Sequence, residues 1–335
     1  MPINVTLLMR PVAERAFSIE AVFDTVARYV PADIALTTVT SPHPSRGLLS
    51  RLRGVWHARQ ACRAADVVHM TGDAHYLVYL LPGRKTVLTV HDCEFLERSS
   101  GLKRWLLWFF WLRLPAWKAA RITCVSEGAR VQLLRWLAVD AERVSVVENP
   151  LSKPLERDER AFNIVRPRLL MIGAGPHKNV ERVAEALAGL PVSLEIIARV
   201  DEARLARLRA GGLAVEARHN LSDEELAEAY ARADILMFPS LAEGFGLPIL
   251  EAQAVGRPVI TSNRAPMRDV AGEGALLVDP EDAGAIRAAV ERVIAEPELR
   301  AQLVKTGAAN VRRFAPERAA QAYADVWRAV AAEAG

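Results

Sequence analysis

Two carboxylates eight positions apart, Glu243 and Glu251, bracket the string Gly244-Phe245-Gly246-Leu247-Pro248. Gly244 and Gly246 let a backbone turn tightly and approach a ligand with no side chain between. Pro248 just inside a helix start and Gly256 just past its end define the helix that follows. Its first N–H groups then face the glycine loop, an arrangement that suits an anion. A second loop, Gly173-Ala174-Gly175-Pro176-His177-Lys178-Asn179, also leads into a helix, and Lys178 there can neutralise a diphosphate while backbone N–H groups hold it. A third candidate is His91, which with Asp92 ends the run Lys85-Thr-Val-Leu-Thr-Val. Each residue also has an ordinary explanation. Glu251 would complement a helix dipole, Lys178 would be a solvated surface charge, and His91 would be a satisfied hydrogen-bonding group at a strand end.

These residues need elements to hold them. Ile235 to Phe238 reads as a strand buried on both faces, ended by Pro239 and Ser240, and Val259 to Ser262 as the next strand. Before them, Arg168 to Gly173 and Leu194 to Ala198 read as strands, with a capping box, Ser222-Asp-Glu-Glu225, opening a helix to Ala231. The first half repeats the rhythm. Strands are expected at 4–9, 34–39, 66–70, 85–92 and 144–147, with helices near 17–30 and 47–64 between the early ones. Alternating β and α elements imply parallel sheets with right-handed crossovers, whose ligands sit at the carboxyl ends of strands. Asn149-Pro150 begins a polar stretch rich in Pro and charge to about residue 166, which marks a domain boundary.

The string Glu243-Gly-Phe-Gly-Leu-Pro-Ile-Leu-Glu251, with its Pro-Ser lead-in, resembles the signature of the retaining family 4 glycosyltransferases (glycosyltransferase group 1). Further matches are the stretch ending in His91-Asp92, the strand Arg121 to Val125 ending in Ser126, the Lys178-Asn179 loop, and residues 221–240. The likeness is close over 85–335 and is only a βα rhythm over 1–84. It implies the GT-B architecture: α/β, two Rossmann-like parallel-sheet domains facing each other across a cleft. The domains would be 1–160 on the acceptor side and 161–312 for the nucleotide sugar, with a helix over 313–335 returning to the first. It also implies transfer of a sugar from a nucleoside diphosphate to a hydroxyl of a saccharide or glycolipid, with retention of configuration. By the same likeness His91, Glu243 and Lys178 act on the reacting sugar and diphosphate. Gly173, Lys178, Asn179, Glu243, Gly244, Phe245, Gly246, Leu247 and Glu251 hold the donor, with Glu251 accepting from ribose hydroxyls.

Departures accompany the likeness. Many members carry a glycine-rich loop after the first strand, whereas this chain has Arg10-Pro-Val-Ala-Glu-Arg-Ala16. Arg10, Arg15 and Glu20 stand there either as substitutes or as surface charges. Ala174 occupies a position where an Arg is usual, so the second phosphate cation is absent or comes from Arg199 or Arg264. Asp269 stands where Glu is more common.

Composition narrows the rest. At 335 residues with 51% apolar content, the chain is large enough for two cores. Residues 1–150 carry 19 Lys and Arg against 13 Asp and Glu, a mildly basic half suited to phosphate or an anionic membrane. That is far short of a nucleic-acid footprint. Cys62, Cys93 and Cys124 form no CxxC pair, the start shows no secretory pattern, and reduced thiols in a cytoplasmic protein are expected. No zinc spacing and no Asp-x-Asp motif occurs, so neither cofactor nor metal is expected.

Residues 102–118 hold four of the seven tryptophans among Lys103, Arg104, Arg113 and Lys118. The run is too short to span a bilayer but suits a helix lying on an anionic membrane, with Trp105, Trp108, Phe109 and Leu112 on one face. A core helix of the first domain is the other reading. On the first, the protein would sit peripherally on the inner face of the membrane, in cell-surface polysaccharide assembly. A sugar-nucleotide epimerase on the same architecture, or a non-catalytic scaffold, are the alternative functions.

Overall fold

The computed structural model describes residues 1–10, 17–153 and 155–334, with the side chains at 17 and 18 left aside. Arg15 and the rest of residues 11–16 lie outside the described residues. The chain divides into two compact units, Met1–Ser152 with Phe314–Gly335, and Lys153–Arg313.

The first unit is built on six parallel strands: β1 Ile3–Met9, β2 Ile34–Thr40, β3 Val67–Met70, β4 Thr86–Val90, β5 Arg121–Cys124 and β6 Val144–Val146. Their order across the sheet is β2-β1-β3-β4-β5-β6. β3 and β4 are buried at every position, as strands covered on both faces must be. One cover is the terminal helix Pro316–Ala334, which buries Tyr323, Trp327 and Val330. Its Trp327 indole donates to His69 Nδ1 at 3.2 Å. That contact makes Nδ1 an acceptor and puts the ring proton on Nε2, 2.7 Å from Thr89 Oγ1, which lies 2.8 Å from Thr123 Oγ1. Burial drives the His69 pKa down to about 3, so this chain of bonds runs through a neutral imidazole. At the surface Arg328 grips Asp33 through two bonds of 2.8 Å, and Arg121 pairs with Glu333.

The second unit repeats the plan with β7 Arg168–Ile172, β8 Ser193–Ile197, β9 Ala214–Arg218, β10 Ile235–Phe238, β11 Val259–Ser262 and β12 Leu276–Val278. All pair in parallel, in the order β12-β11-β10-β7-β8-β9. Leu169, Ile196, Ile235, Met237 and Ile260 are buried to 2% exposure or less in its core, each worth about 1.5–3 kcal/mol. Both halves of the capping box form: Ser222 Oγ accepts from Glu225 N at 3.1 Å, and Glu225 Oε2 from Ser222 N at 2.8 Å. The charged stretch after Asn149-Pro150 belongs to this unit from Lys153 onward. Asp158 pairs with Arg257 at 2.6 Å, and the Asn163 N–H donates to Asp234 at 3.0 Å.

The aromatic segment is helical but irregular. Gly101–Leu107 is α-helical, Trp108–Arg113 forms a π turn, and Leu114–Lys118 resumes the α form. Pro115 offers no N–H to the carbonyl of Trp111, and the Leu114 N–H goes to Phe109 O rather than Phe110 O. Side chains of the turn His75–Leu80 fill the gap, with the Tyr79 hydroxyl donating to Phe110 O and His75 Nδ1 bonded to Trp111 O at 2.9 Å. The π turn also rotates the exposed face away from the one expected at 3.6-residue spacing. Leu112 is fully buried and Trp108 is half-buried, its indole donating to Trp136 O at 2.9 Å. The exposed apolar residues are Leu102, Trp105, Leu106, Phe110 and Trp117. The expected face therefore holds for Trp105 and fails for Leu112.

Candidate functional site

Within the second sheet the strand order reverses between β7 and β10, whose neighbouring connections leave in opposite directions. A crevice opens at the carboxyl ends of the strands at such a point, and ligands of open α/β sheets bind there. Both sequence loops fall on it. The loop after β7 carries Lys178 in the short turn Pro176–Lys178, and the loop after β10 carries Glu243. A backbone bond, Leu241 N–H to His177 O at 2.8 Å, ties the loops together.

At their meeting point the Lys178 ammonium donates to Glu243 Oε1 at 2.6 Å and lies 4.5 Å from the centre of the Phe238 ring. Both side chains are mostly covered, 15% and 13% exposed. Gly173 permits this placement. It has φ +91°, and a Cβ there would come within 2.8 Å of Lys178 Cε. Gly246 has φ +117° and no side chain caps the helix Leu247–Val255 behind it; in its first turn Pro248 carries no N–H and the Ile249 N–H donates to Gly246 O at 3.0 Å.

Asn179 does a different job. It adopts the left-handed conformation, φ 63°, and its amide donates to Pro239 O at 3.1 Å and Pro280 O at 2.5 Å while Oδ1 accepts from Arg182. The side chain is committed to holding the two loops in place. Glu251, one turn into the helix, is buried at 6% exposure and accepts from the Tyr230 hydroxyl at 2.5 Å. Burial pushes its pKa above the carboxylate range, opposed by the Tyr230 hydrogen bond and by Lys153. One carboxylate oxygen is thereby oriented, and the other remains an acceptor.

The two suggested substitutes for the cation missing at Ala174 differ. Arg264 is engaged by Glu281 at 2.8 Å, whereas Arg199 is exposed. The cation that actually reaches the position is Arg204, whose Nη1 donates to Ala174 O at 2.6 Å while Nε pairs with Glu181 at 2.7 Å. Ser126 proves to be a helix cap, accepting from Ala129 N at 3.0 Å, and Asp269 pairs with its neighbour Arg268.

In the first unit the order reverses between β1 and β3. Arg10, directly after β1, is 4% exposed and forms a bidentate pair with Glu20 at 3.0 and 3.2 Å plus a contact to Asp73 at 3.2 Å. Arg10 is thus a buried cation and Glu20 its mostly covered partner. His91, after β4, lies 2.7 Å from Thr71 O through Nε2. A carbonyl only accepts, so the proton is on Nε2 and Nδ1 is the acceptor. Burial lowers the His91 pKa, which favours this neutral form. Among the described residues no group of three His, Cys, Asp or Glu is placed to hold a metal ion, and no helix is long and apolar enough to cross a membrane.

Comparison with known proteins decides the family. Residues 4–152 match the model described as Glycosyltransferase Family 4, and residues 152–310 the model described as Glycosyl transferases group 1. An alpha-maltose-1-phosphate synthase of Mycolicibacterium smegmatis is 30% identical over 277 residues, 70% of this chain and 71% of that protein. The chain is a family 4 glycosyltransferase.

The O-antigen chain mannosyltransferase RfbU of Salmonella typhimurium is 27% identical to this glycosyltransferase over 281 residues, 79% of the chain and 78% of the relative. Among solved structures, a sucrose-phosphate synthase from Thermosynechococcus elongatus superposes with a TM-score of 0.75 at 20% identity, covering 98% of this chain and 99% of the other. HepE of Anabaena, in complex with UDP and glucose, also gives 0.75, at 16% identity over 97% and 99%. These likenesses show the fold, two Rossmann-like parallel sheets of the GT-B kind. The family's reaction is the transfer of a sugar from a nucleoside diphosphate sugar to an acceptor hydroxyl.

Three residues of these candidate sites carry no sequence signal of their own. Tyr230 lies 21 positions from the Glu251 it orients, and only the run of helix, strand and returning helix brings them together. Arg204 carried no motif. Asp73 sits in a loop after a short strand and is recognisable only through its contact with Arg10.

Proposed function

We propose that the donor's diphosphate lies against Lys178 and the N–H groups of Phe245 to Leu247, with ribose hydroxyls donating to Glu251 and the sugar beside Glu243. The observation that carries this reading is the Lys178–Glu243 pair at the carboxyl ends of β7 and β10, next to an uncapped helix start. A cation, aligned N–H groups and two carboxylate acceptors match a ligand that is anionic at one end and hydroxyl-rich at both sides of the phosphates.

In the reaction the bond from the anomeric carbon to the phosphate oxygen breaks, and the electron pair leaves with the diphosphate. The acceptor oxygen bonds that carbon on the same face, and its proton passes to the departing phosphate oxygen. Configuration is retained with no covalent enzyme intermediate. Lys178 and the helix start neutralise the charge that develops on the leaving group, the function that preorganised donors serve best. Neutral His91 accepts from a sugar hydroxyl through Nδ1. Arg10, Asp73 and Glu20 shape the acceptor side, and the chemistry proceeds with a chelator present.

The acceptor is a saccharide or lipid-linked saccharide in cell-surface polysaccharide assembly at the cytoplasmic membrane face. Names of relatives support this: an O-antigen mannosyltransferase and a phosphatidyl-myo-inositol mannosyltransferase are among them. The exposed Trp105, Phe110 and Trp117 with their basic neighbours support a peripheral contact with anionic membrane through residues 102–118. Incubation with a panel of sugar nucleotides, mannose nucleotides first, should release one nucleoside diphosphate in an acceptor-dependent manner. Turnover of donor with no acceptor, giving an isomeric sugar nucleotide, would favour the epimerase reading instead.

A further inference from the structure

The first unit holds a second concentration of positive charge, at the amino ends of its strands and so at the opposite end of the sheet from His91. A cavity of about 440 Å³ opens there between the last turn of the helix Leu48–Ala61, the segment that follows the turn His75–Leu80, and the end of the helix Leu114–Lys118. Arg59, Arg63, Arg84, Lys85 and Lys118 line it, and no carboxylate does. Two of the five are held by carbonyls, Lys118 Nζ by Tyr79 O at 2.7 Å and Lys85 Nζ by Ala65 O at 3.2 Å. Burial and the neighbouring Arg59 lower the Lys118 pKa, the mark of cations gathered without a counter-charge. Such a group stabilises a bound anion and is itself relieved by one.

The surroundings say where that anion comes from. Leu80, in the cavity wall, is 40% exposed; Trp117, beside Lys118, is 72% exposed; and Trp56, one turn before Arg59, is 57% exposed. Large exposed apolar side chains in the same segments as the cavity's cations suit the boundary between headgroups and acyl chains. The wider layer agrees. The connections after β2, β3 and β4 interlock on one side of the sheet: Ser45 bonds Tyr76 at 2.9 Å, the Tyr76 and Trp111 rings are 5.1 Å apart, and Arg51 lies 4.6 Å over Trp111. The connections in this layer, residues 41–66, 71–85 and 91–120, contain twelve Lys and Arg against five Asp and Glu. Its exposed apolar residues include Leu48, Leu49 and Leu52 as well as those of the aromatic helix. A layer with a net positive charge and protruding Leu and Trp is complementary to an anionic bilayer.

We propose that this cavity is a binding site for the phosphate headgroup of an anionic phospholipid, and that it seats the first unit on the membrane. The inference rests on the membrane contact proposed for residues 102–118 and adds a specific headgroup site from a different set of elements.

The test is co-sedimentation of the whole chain with vesicles of phosphatidylcholine, with and without phosphatidylglycerol. Arg59, Arg63 and Arg84 are exposed, so Arg59→Gln/Arg63→Gln/Arg84→Gln should fold normally. It is expected to bind the anionic vesicles on the order of 100-fold more weakly, with an unchanged melting curve. The control Arg207→Gln/Lys305→Gln/Arg312→Gln removes the same charge from exposed positions of the second unit and should bind like the wild type. Equal loss in the control, or undiminished binding of the cavity variant, would overturn the site. So would stabilisation by inorganic phosphate or glycerol phosphate without any vesicle binding, which would assign the cavity to a soluble phosphate. Trp105→Ser/Trp117→Ser separates the two readings. If it alone releases the protein, the aromatic contact stands and the headgroup site falls. If the wild type ignores anionic vesicles, both fall.

Discussion

Lys178→Met and Glu243→Gln should move nucleotide affinity in opposite directions. In the free enzyme the ammonium and carboxylate are 2.6 Å apart with little solvent access, so an arriving diphosphate competes with Glu243 for Lys178. Removing the ammonium loses a charge-assisted bond worth about 1.5–3 kcal/mol, which corresponds to roughly 10- to 150-fold weaker diphosphate binding. It also strands a mostly covered carboxylate, so the fold should lose stability, by about 1–3 kcal/mol. Glu243→Gln removes the competitor and a negative charge near the phosphates. Free nucleoside diphosphate should then bind more tightly, by on the order of 1 kcal/mol at the effective dielectric of such sites. Transfer of sugar should nonetheless collapse, because the carboxylate that meets the sugar is gone. Calorimetric titration of the winning nucleoside diphosphate into both variants and the double variant measures each effect and their coupling. Equal weakening in both single variants would refute the competition, and unchanged affinity in a well-folded Lys178→Met would remove Lys178 from the diphosphate site.

Gly173→Ala should cost about 1–2 kcal/mol for its left-handed backbone and should raise the donor KM by displacing Lys178, whose Cε would lie 2.8 Å from the new methyl; a KM equal to the wild type's would contradict the placement. Glu251 has a raised pKa, so the folded state holds its proton more tightly than the unfolded one, and stability falls as pH rises from the ordinary carboxylate range through that raised value. Glu251→Gln should therefore be more heat-stable than the wild type at pH about 8, with the advantage shrinking as pH falls toward about 4.5, while nucleotide binding weakens throughout. A constant difference across pH would argue against a buried charge. Trp327→Phe leaves buried His69 Nδ1 without its donor and should cost about 1–3 kcal/mol by urea unfolding, against about 3–5 kcal/mol for Trp327→Ala. Equal costs would mean that packing alone holds the terminal helix.

The donor site was legible because its parts are local. Glycines with positive φ at 173 and 246, Pro248 inside a helix and the capping box at 222–225 announce themselves in a few consecutive residues. The parallel pairing follows from the same logic, since alternating β and α elements imply it. What stayed hidden depends on distant partners. The burial of Arg10 is set by Glu20 and Asp73, 10 and 63 positions away. The exposed face of the aromatic helix departs from the expected one because helical-wheel spacing presumes unbroken i→i−4 bonds. Here Pro115 has no N–H for Trp111 O and the Leu114 N–H goes to Phe109 O, leaving Tyr79 and His75 to bond the carbonyls of Phe110 and Trp111. Asn179 reads as a ligand-binding residue by position, yet its side chain is consumed by the carbonyls of Pro239 and Pro280. The cation-lined cavity was invisible for the same reason: its charges come from three separate segments.

The most direct test of the central claim is the binding of nucleoside diphosphates, without sugar or metal, to the wild type and to Lys178→Met, read as a thermal shift. One base should stabilise the wild type by about 2.7 kcal/mol at a hundred times its dissociation constant, and at the same concentration the shift should fall to about 0.3–1.4 kcal/mol in Lys178→Met. Stabilisation that is the same in both proteins, or none with any nucleotide, would contradict a donor site built around Lys178, Glu243 and the helix start at Leu247.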